Sequence, residues 1–213
     1  MSYSVDTVLS LALLSSLFAI CSSRLPGLIK IVGFQGIVVS IVPIFIEYNV
    51  TSGAVTFYMF TMTIRGVIIP LSIYLLIKKI AIRREVQPII GYHASLFAGL
   101  LLIVASSIIN HKLDLPVTTN SVLLMPTAIT ILVTGMFILI ARRNAIAMVL
   151  GYIMMENGIY LVGTTFSMGT HHIVEFGILL DVLAGVMIMA IMLENMKQKF
   201  DDVDTSFLSE LKE

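Results

Sequence analysis

The chain has 213 residues, of which 58% are hydrophobic and 12% are charged. Because soluble domains carry about 25% charged residues, this composition excludes an ordinary water-soluble domain and predicts an integral membrane protein. Its 13 basic residues balance 13 acidic ones, and the single cysteine, Cys21, excludes an internal disulfide and a cysteine-based zinc or iron–sulfur site.

A helix needs about 20 apolar residues to cross a bilayer, and seven segments of about that length follow one another along the chain. They cover residues 5–22, 27–47, 54–77, 89–109, 118–140, 144–166 and 171–194. Backbone groups in lipid must form hydrogen bonds internally, and the sequence lacks the alternation typical of a membrane β-barrel. It therefore predicts an all-α, polytopic membrane protein with about seven transmembrane helices.

The basic residues are concentrated on one side of this predicted bundle. If the helices alternate in direction, the connections after the first, third and fifth share a side with the C-terminus. At or near these connections lie Arg24, Lys30, Lys78, Lys79, Arg83, Arg84, Arg142 and Arg143, whereas the opposite connections hold only Lys112. By the positive-inside rule, the N-terminus lies outside and the C-terminus is cytoplasmic.

Arg65, in the stretch TFYMFTMTIRGVIIPLS, lies near the middle of the third segment. Ionisable groups at this depth cost from about 2.5 to more than 10 kcal/mol and are candidate functional groups by default. Since an arginine keeps its charge, Arg65 requires a carboxylate, carbonyl groups or water as its partner. Pro70 removes the usual donor to the Gly66 carbonyl and predicts a distortion of the helix nearby.

His93 lies a few residues into the fourth segment, near the predicted cytoplasmic face. A histidine that changes charge near neutral pH suits a proton relay. A histidine whose hydrogen bonds are satisfied at the membrane interface is the simpler interpretation, and we favour it.

Two carboxyl groups lie at one predicted depth in the last two segments. In AMVLGYIMMENGIYLVGTTF (147–166), Glu156 lies about 18 Å along its helix, close to the midplane, and Asp181 has a comparable depth in the next, antiparallel helix. Such a pair binds or releases protons according to its surroundings. We therefore predict a proton or ion relay formed by Glu156, Asp181 and Arg65. The alternative is a static cluster of charges that fixes helix register.

Further residues near these carboxyl groups are candidate auxiliary groups of the relay: Asn157, Tyr160 and Glu175, with His93 from the fourth segment. Gly151, Gly158 and Gly185 permit a close approach between helices or a local π-type distortion.

Residues 197–213 form an acidic tail after the last predicted span. One interpretation is a solvated terminus. The other is an amphipathic segment that docks on a cytoplasmic partner through its apolar residues.

Three stretches resemble the C-terminal part of hydrogenase-4 component E, a membrane component of formate-hydrogenlyase-type complexes. They are GYIMMENG at 151–158, IVEFGILLDVLAGVMIMAIM at 173–192 and DDVDTSFLSELK at 201–212. The earlier segments fit that family in number and length, with Arg65 at a position where relatives carry a lysine. The resemblance is specific in the last 70 residues and looser before them.

The same C-terminal part is similar to the three-helix K subunit of respiratory complex I and to the small subunit of Mrp-type cation/proton antiporters. In that pattern RRN at 142–144 opens the middle helix, and Leu150 and Gly151 precede the first carboxylate.

The two carboxylates of that pattern match to different degrees. Asp181 lies four residues before Gly185, as the second carboxylate of the pattern does. The position of the first holds Ile153, and Glu156 comes three residues later, one turn on and towards the same helix face.

The resemblance implies three parts: four scaffold helices in 1–117, a module like the complex I K subunit in 118–196, and a cytoplasmic tail in 197–213. It implies a non-catalytic subunit of a group 4 membrane-bound nickel–iron (NiFe) hydrogenase in a prokaryotic cytoplasmic membrane. Hydrogen evolution is then coupled to proton or sodium translocation.

The partners implied are larger antiporter-like membrane subunits, a subunit like the H subunit of complex I, and a cytoplasmic hydrogenase module. The chain itself is expected to hold no cofactor and no metal, since the nickel–iron centre and iron–sulfur clusters belong to partner subunits. No nucleic-acid partner is indicated. Two alternatives stay open, namely a subunit of an Mrp-type antiporter and a purely structural membrane scaffold.

The predicted topology can be tested with single cysteines introduced at Thr119 and Asn144 in a background without Cys21. The two positions lie on opposite sides of the fifth span, so an impermeant thiol reagent should label one from outside and the other only after permeabilisation. Equal labelling of both positions would contradict the seven-span arrangement.

Overall fold

The computed structural model describes residues 2–46, 52–80, 91–112, 121–142 and 144–166, together with residue 185. Within these ranges the chain is helical apart from short connections. The helices are α1 (Ser2–Cys21), α2 (Leu25–Ile46), α3 (Ser52–Thr63), α4 (Ile69–Ile80), α5 (Tyr92–Lys112), α6 (Leu124–Ala141) and α7 (Ala145–Phe166). A π-helical turn over Ile64–Ile68 joins α3 and α4 into one continuous helix.

The described residues contain six helices that are long and apolar enough to cross a membrane, with α3, the π turn and α4 counted as one. They match the first six predicted spans, and the all-α, polytopic class is confirmed. The seventh predicted segment, 171–194, lies outside the described residues except for Gly185, and so does the tail 197–213. The count of seven therefore stays a prediction.

Contacts at the two ends of α1 and α6 show which helix ends lie together. The Ser121 hydroxyl donates to the Asp6 carboxylate, with 2.7 Å between Oγ and Oδ1. At the other end, the Arg142 guanidinium donates to the Ile20 carbonyl at 2.7 Å and to the Ser22 carbonyl at 3.4 Å. The helices α1 and α6 therefore run in the same direction, as strict alternation of the predicted spans requires.

Arg142 is buried although it comes from a basic connection between spans. Its guanidinium caps the C-terminal end of α1, where the last carbonyl groups have no donor within the helix. Burial lowers the pKa of Arg142 and the neighbouring Cys21 opposes this shift, but an arginine at neutral pH stays protonated. One charge of the basic side thus holds two helix ends together.

Glycines let α6 and α7 pack at backbone distance. A Cβ atom on Gly135 would collide with the backbone nitrogen of Met155, and one on Gly158 would lie 2.5 Å from the backbone nitrogen of Leu132. Gly151 faces α6 in the same way. Because lipid offers no hydrophobic drive for helix association, such close van der Waals contact is what holds neighbouring helices together.

The buried apolar residues form two clusters, one towards each end of the bundle. The Arg142-end cluster contains Ala19, Leu25, Leu28, Ile29, Val32, Ile69, Ile73, Ile77, Ile138, Ile146, Ala147, Val149, Leu150, Tyr152, Ile153 and Met154. The Asp6-end cluster contains Val5, Leu9, Ala12, Val38, Val39, Val42, Leu124, Ala128, Ile131, Tyr160 and Leu161. The helices α1, α2, α6 and α7 contribute to both clusters, so each has a stretch that lies between them.

We expect Gly135→Ala to lower the free energy of unfolding by about 1–3 kcal/mol or more, because the added methyl group overpacks the contact between α6 and α7. Thermal unfolding of the purified protein in detergent measures the loss. Gly53→Ala is the matched control, since a Cβ atom there meets nothing within 4 Å. Equal stability of the two variants would contradict the close packing.

Candidate functional site

A buried ion pair joins the third span to α7. Arg65 Nη2 lies 2.8 Å from Glu156 Oε1, and the two side chains are 2% and 1% exposed. A lone charge in a medium of low dielectric constant is very costly, so each of these charges depends on the other. The cation and the acid thus pair within this chain, a point that the sequence left open.

The π-helical turn holds the backbone of Arg65. The Ile69 N–H donates to the Ile64 carbonyl, five residues earlier, and Pro70 follows with no N–H to donate. The distortion predicted from Pro70 therefore takes the form of a π turn that contains Arg65. Single π turns are rare and are frequently found at functional sites.

Glycines bring α2 against the backbone of this turn. A Cβ atom on Gly36 would lie 2.8 Å from the Arg65 carbonyl oxygen, and one on Gly33 would lie 3.2 Å from that of Gly66. A Cβ atom on Gly66 would collide with the Ile37 side chain. Because no larger residue fits at these positions, α2 fixes the backbone from which Arg65 extends.

Two tyrosines flank Glu156 on α7. Tyr152 and Tyr160 are buried and lie one turn before and one turn after the acid, which places all three on one helix face. The Arg65 guanidinium carbon lies 4.5 Å from the centroid of the Tyr160 ring. A desolvated cation–π contact of this kind contributes about 2 kcal/mol. Arg65 is therefore held by a carboxylate and an aromatic face from the same helix.

The ion pair belongs to a layer of polar side chains between the two apolar clusters. We define this polar layer as Ser15, Ser16, Gln35, Arg65, Thr134, Glu156 and Asn157. None of the seven is more than 3% exposed. Because α1, α2, α6 and α7 each pass from one cluster to the other at this point, the polar residues lie at a common level near the middle of the bundle.

The other predicted site residues have different locations. Asn157 is buried in the polar layer, next to Glu156 in sequence. His93 is exposed in the first turn of α5, a helix that packs against α1 and α6, so it lies far along its helix from the layer. Asp181 and Glu175 lie outside the described residues, and their part in the relay stays a prediction.

Sequence reasoning missed the uncharged members of the polar layer. Gln35 donates from Nε2 to the hydroxyl oxygens of Ser15 at 3.2 Å and Ser16 at 3.1 Å, and so joins α2 to α1. The available signal was a glutamine inside the apolar stretch IVGFQGIVVS. A search restricted to ionisable groups passes over it. Thr134 gives no comparable signal, because threonine is common in apolar helices.

The chemistry open to this arrangement is the binding and release of a proton by a carboxyl group beside a fixed cation. Arg65 keeps its charge, whereas Glu156 can change its own. Among the described residues, no group of three His, Cys, Asp or Glu side chains is arranged to hold a metal ion.

Comparison with known proteins finds relatives at low identity. The chain is 25% identical over 219 residues to an uncharacterized protein of Mycobacterium tuberculosis, an alignment that covers 98% of this chain and 96% of that protein. It is also 25% identical over 118 residues to hydrogenase-4 component E of Escherichia coli K12, and to the same component of Shigella flexneri. That alignment covers 55% of this chain and 54% of the relative, about half of its length. No family model matches the chain, and no solved structure does.

The partial match supports a relationship to a hydrogenase component. The similarity to the complex I K subunit and to the small Mrp subunit stays a prediction.

If the two charges depend on each other, removing one is worse than removing both. We expect Arg65→Met or Glu156→Leu alone to lower stability by about 3–5 kcal/mol, and the double variant to recover much of that loss. Thermal unfolding of the four proteins measures the coupling. Ser40→Ala serves as a control, since its buried hydroxyl donates only within α2, to Gly36 at 2.8 Å. Losses that simply add would contradict the mutual dependence.

Proposed function

We propose that this chain is a membrane-arm subunit of a group 4 nickel–iron hydrogenase of formate-hydrogenlyase type. In this proposal it couples hydrogen evolution to the translocation of protons or sodium ions. The Arg65–Glu156 pair carries the proposal, since it places a charge and a titratable group in the middle of a lipid-spanning bundle. The partial match to hydrogenase-4 component E supports the choice of complex.

Glu156 is the group that changes its charge. When it takes up a proton, Arg65 loses its counterion and must turn to another acceptor, and when the proton leaves, the pair forms again. Asp181 is the acceptor that the sequence suggests, at a comparable predicted depth in the following helix. The cation and the two acids then pass a proton, or an electrostatic change, from one subunit to the next.

The cofactors and other subunits in this proposal lie outside the chain. A cytoplasmic hydrogenase module holds the nickel–iron centre and the iron–sulfur clusters. Larger antiporter-like subunits and a subunit like the H subunit of complex I complete the membrane arm, in the cytoplasmic membrane of a prokaryote. The chain itself breaks no bond, and its C-terminus faces the cytoplasm and that module.

The central experiment compares Glu156→Gln with the unchanged complex in membrane vesicles. We expect the variant to lose ion movement coupled to hydrogen evolution, because an amide cannot exchange a proton, while hydrogen evolution from reduced viologen remains measurable. Ser40→Ala should keep both activities. Normal pumping by Glu156→Gln would overturn the role of this residue.

A preceding step establishes the partners. The tagged chain is purified from gently solubilised membranes of its host, and the eluate is assayed for hydrogen evolution and analysed by mass spectrometry. A nickel-containing large subunit in the eluate supports the hydrogenase assignment. An eluate that holds antiporter-like subunits and no hydrogenase favours the Mrp-type alternative, and failure of all polar-layer variants to assemble favours a scaffold.

A further inference from the structure

Three polar side chains of the polar layer have hydrogen-bonding atoms without a partner. They are Gln35 through Oε1, Thr134 through Oγ1, and Asn157 through both Oδ1 and Nδ2. Each residue is at most 1% exposed. An unpaired polar atom in an apolar surrounding carries a large free-energy penalty, so native proteins supply a partner, commonly an ordered water molecule.

The three residues come from different helices but lie at one level. Gln35 lies about one turn from Val39, and Thr134 lies about one turn from Ile131, both members of the Asp6-end cluster. Asn157 lies about one turn before Leu161 of the same cluster. In each helix, the step from cluster to polar residue leads towards the Arg142 end. The three unpaired groups therefore border the same face of the Asp6-end cluster.

The contacts between these helices bring the three groups together. Both α2 and α6 pack against α7, and α1 packs against α2 and α6. The Gln35 amide nitrogen is already used by the hydroxyls of Ser15 and Ser16, so only its oxygen is left to accept. The Asn157 amide adds donors as well as an acceptor.

We infer that the polar layer binds ordered water, held by Gln35 Oε1, Thr134 Oγ1 and the Asn157 amide. A water molecule donates to the two oxygens and exchanges either kind of hydrogen bond with the amide, which gives it the two to four polar partners that buried water requires. This hydration runs across the bundle at the level of Glu156 and reaches α1 through the bonds from Gln35 to its serines. It is a site for water, separate from the ion pair and independent of the proposed function.

Unfolding of Thr134→Val tests the inference through the sign of its effect. If the hydroxyl is dry and unpaired, valine removes a penalty and raises the melting temperature. If the hydroxyl holds water, valine removes a partner of that water and lowers the melting temperature, which is the expected result. Ser40→Ala gives the effect of losing a buried hydroxyl that is bonded within its own helix.

A double-mutant cycle and a density map complete the test. Thr134→Val and Asn157→Leu should be non-additive if they share water, whereas additive effects would contradict a shared site. A map of the unchanged, intact complex at a resolution that shows ordered water should contain density within hydrogen-bond distance of the three groups. A layer without such density would overturn the inference, even if both variants failed to fold.

Discussion

The need to neutralise one arginine inside lipid governs much of this structure. Arg65 cannot release its charge, so the bundle must supply a carboxylate and an aromatic face for it, and both come from α7. The third span is thereby tied to a helix that is distant in sequence. Charge neutralisation explains the position of Glu156 better than packing does, since an apolar residue there would fill the space without a desolvation penalty.

The same requirement explains why glycines occur where they do. A guanidinium reaches across to α7 only if the third span stands close to the bundle, and Gly36 and Gly66 permit that approach. Gly135 and Gly151 place α6 against α7 behind the acid. The two apolar clusters then close the layer from both ends, so that its polar groups meet one another and not lipid.

Much of the fold could be predicted from the sequence, because hydropathy and length determine which segments span and basic residues determine the sides of their connections. The depth of Arg65 and Glu156 followed from counting residues along a helix. Their pairing did not follow, since it depends on how each helix is rotated about its own axis. The π turn was indicated only as a distortion near Pro70. Gln35 and Thr134 were missed because the free-energy penalty of burying an uncharged group is smaller and marks the sequence less clearly.

The cap that Arg142 places on the end of α1 joins residues 122 positions apart in the chain. At a synthesis rate of about 5–20 residues per second, α1 enters the membrane about 6–24 s before its cap exists. Throughout that interval the Ile20 carbonyl must be served by water or by lipid headgroups. The first helix is thus held provisionally by the translocation machinery and the interface, and it locks into place only when the loop before α7 has left the ribosome.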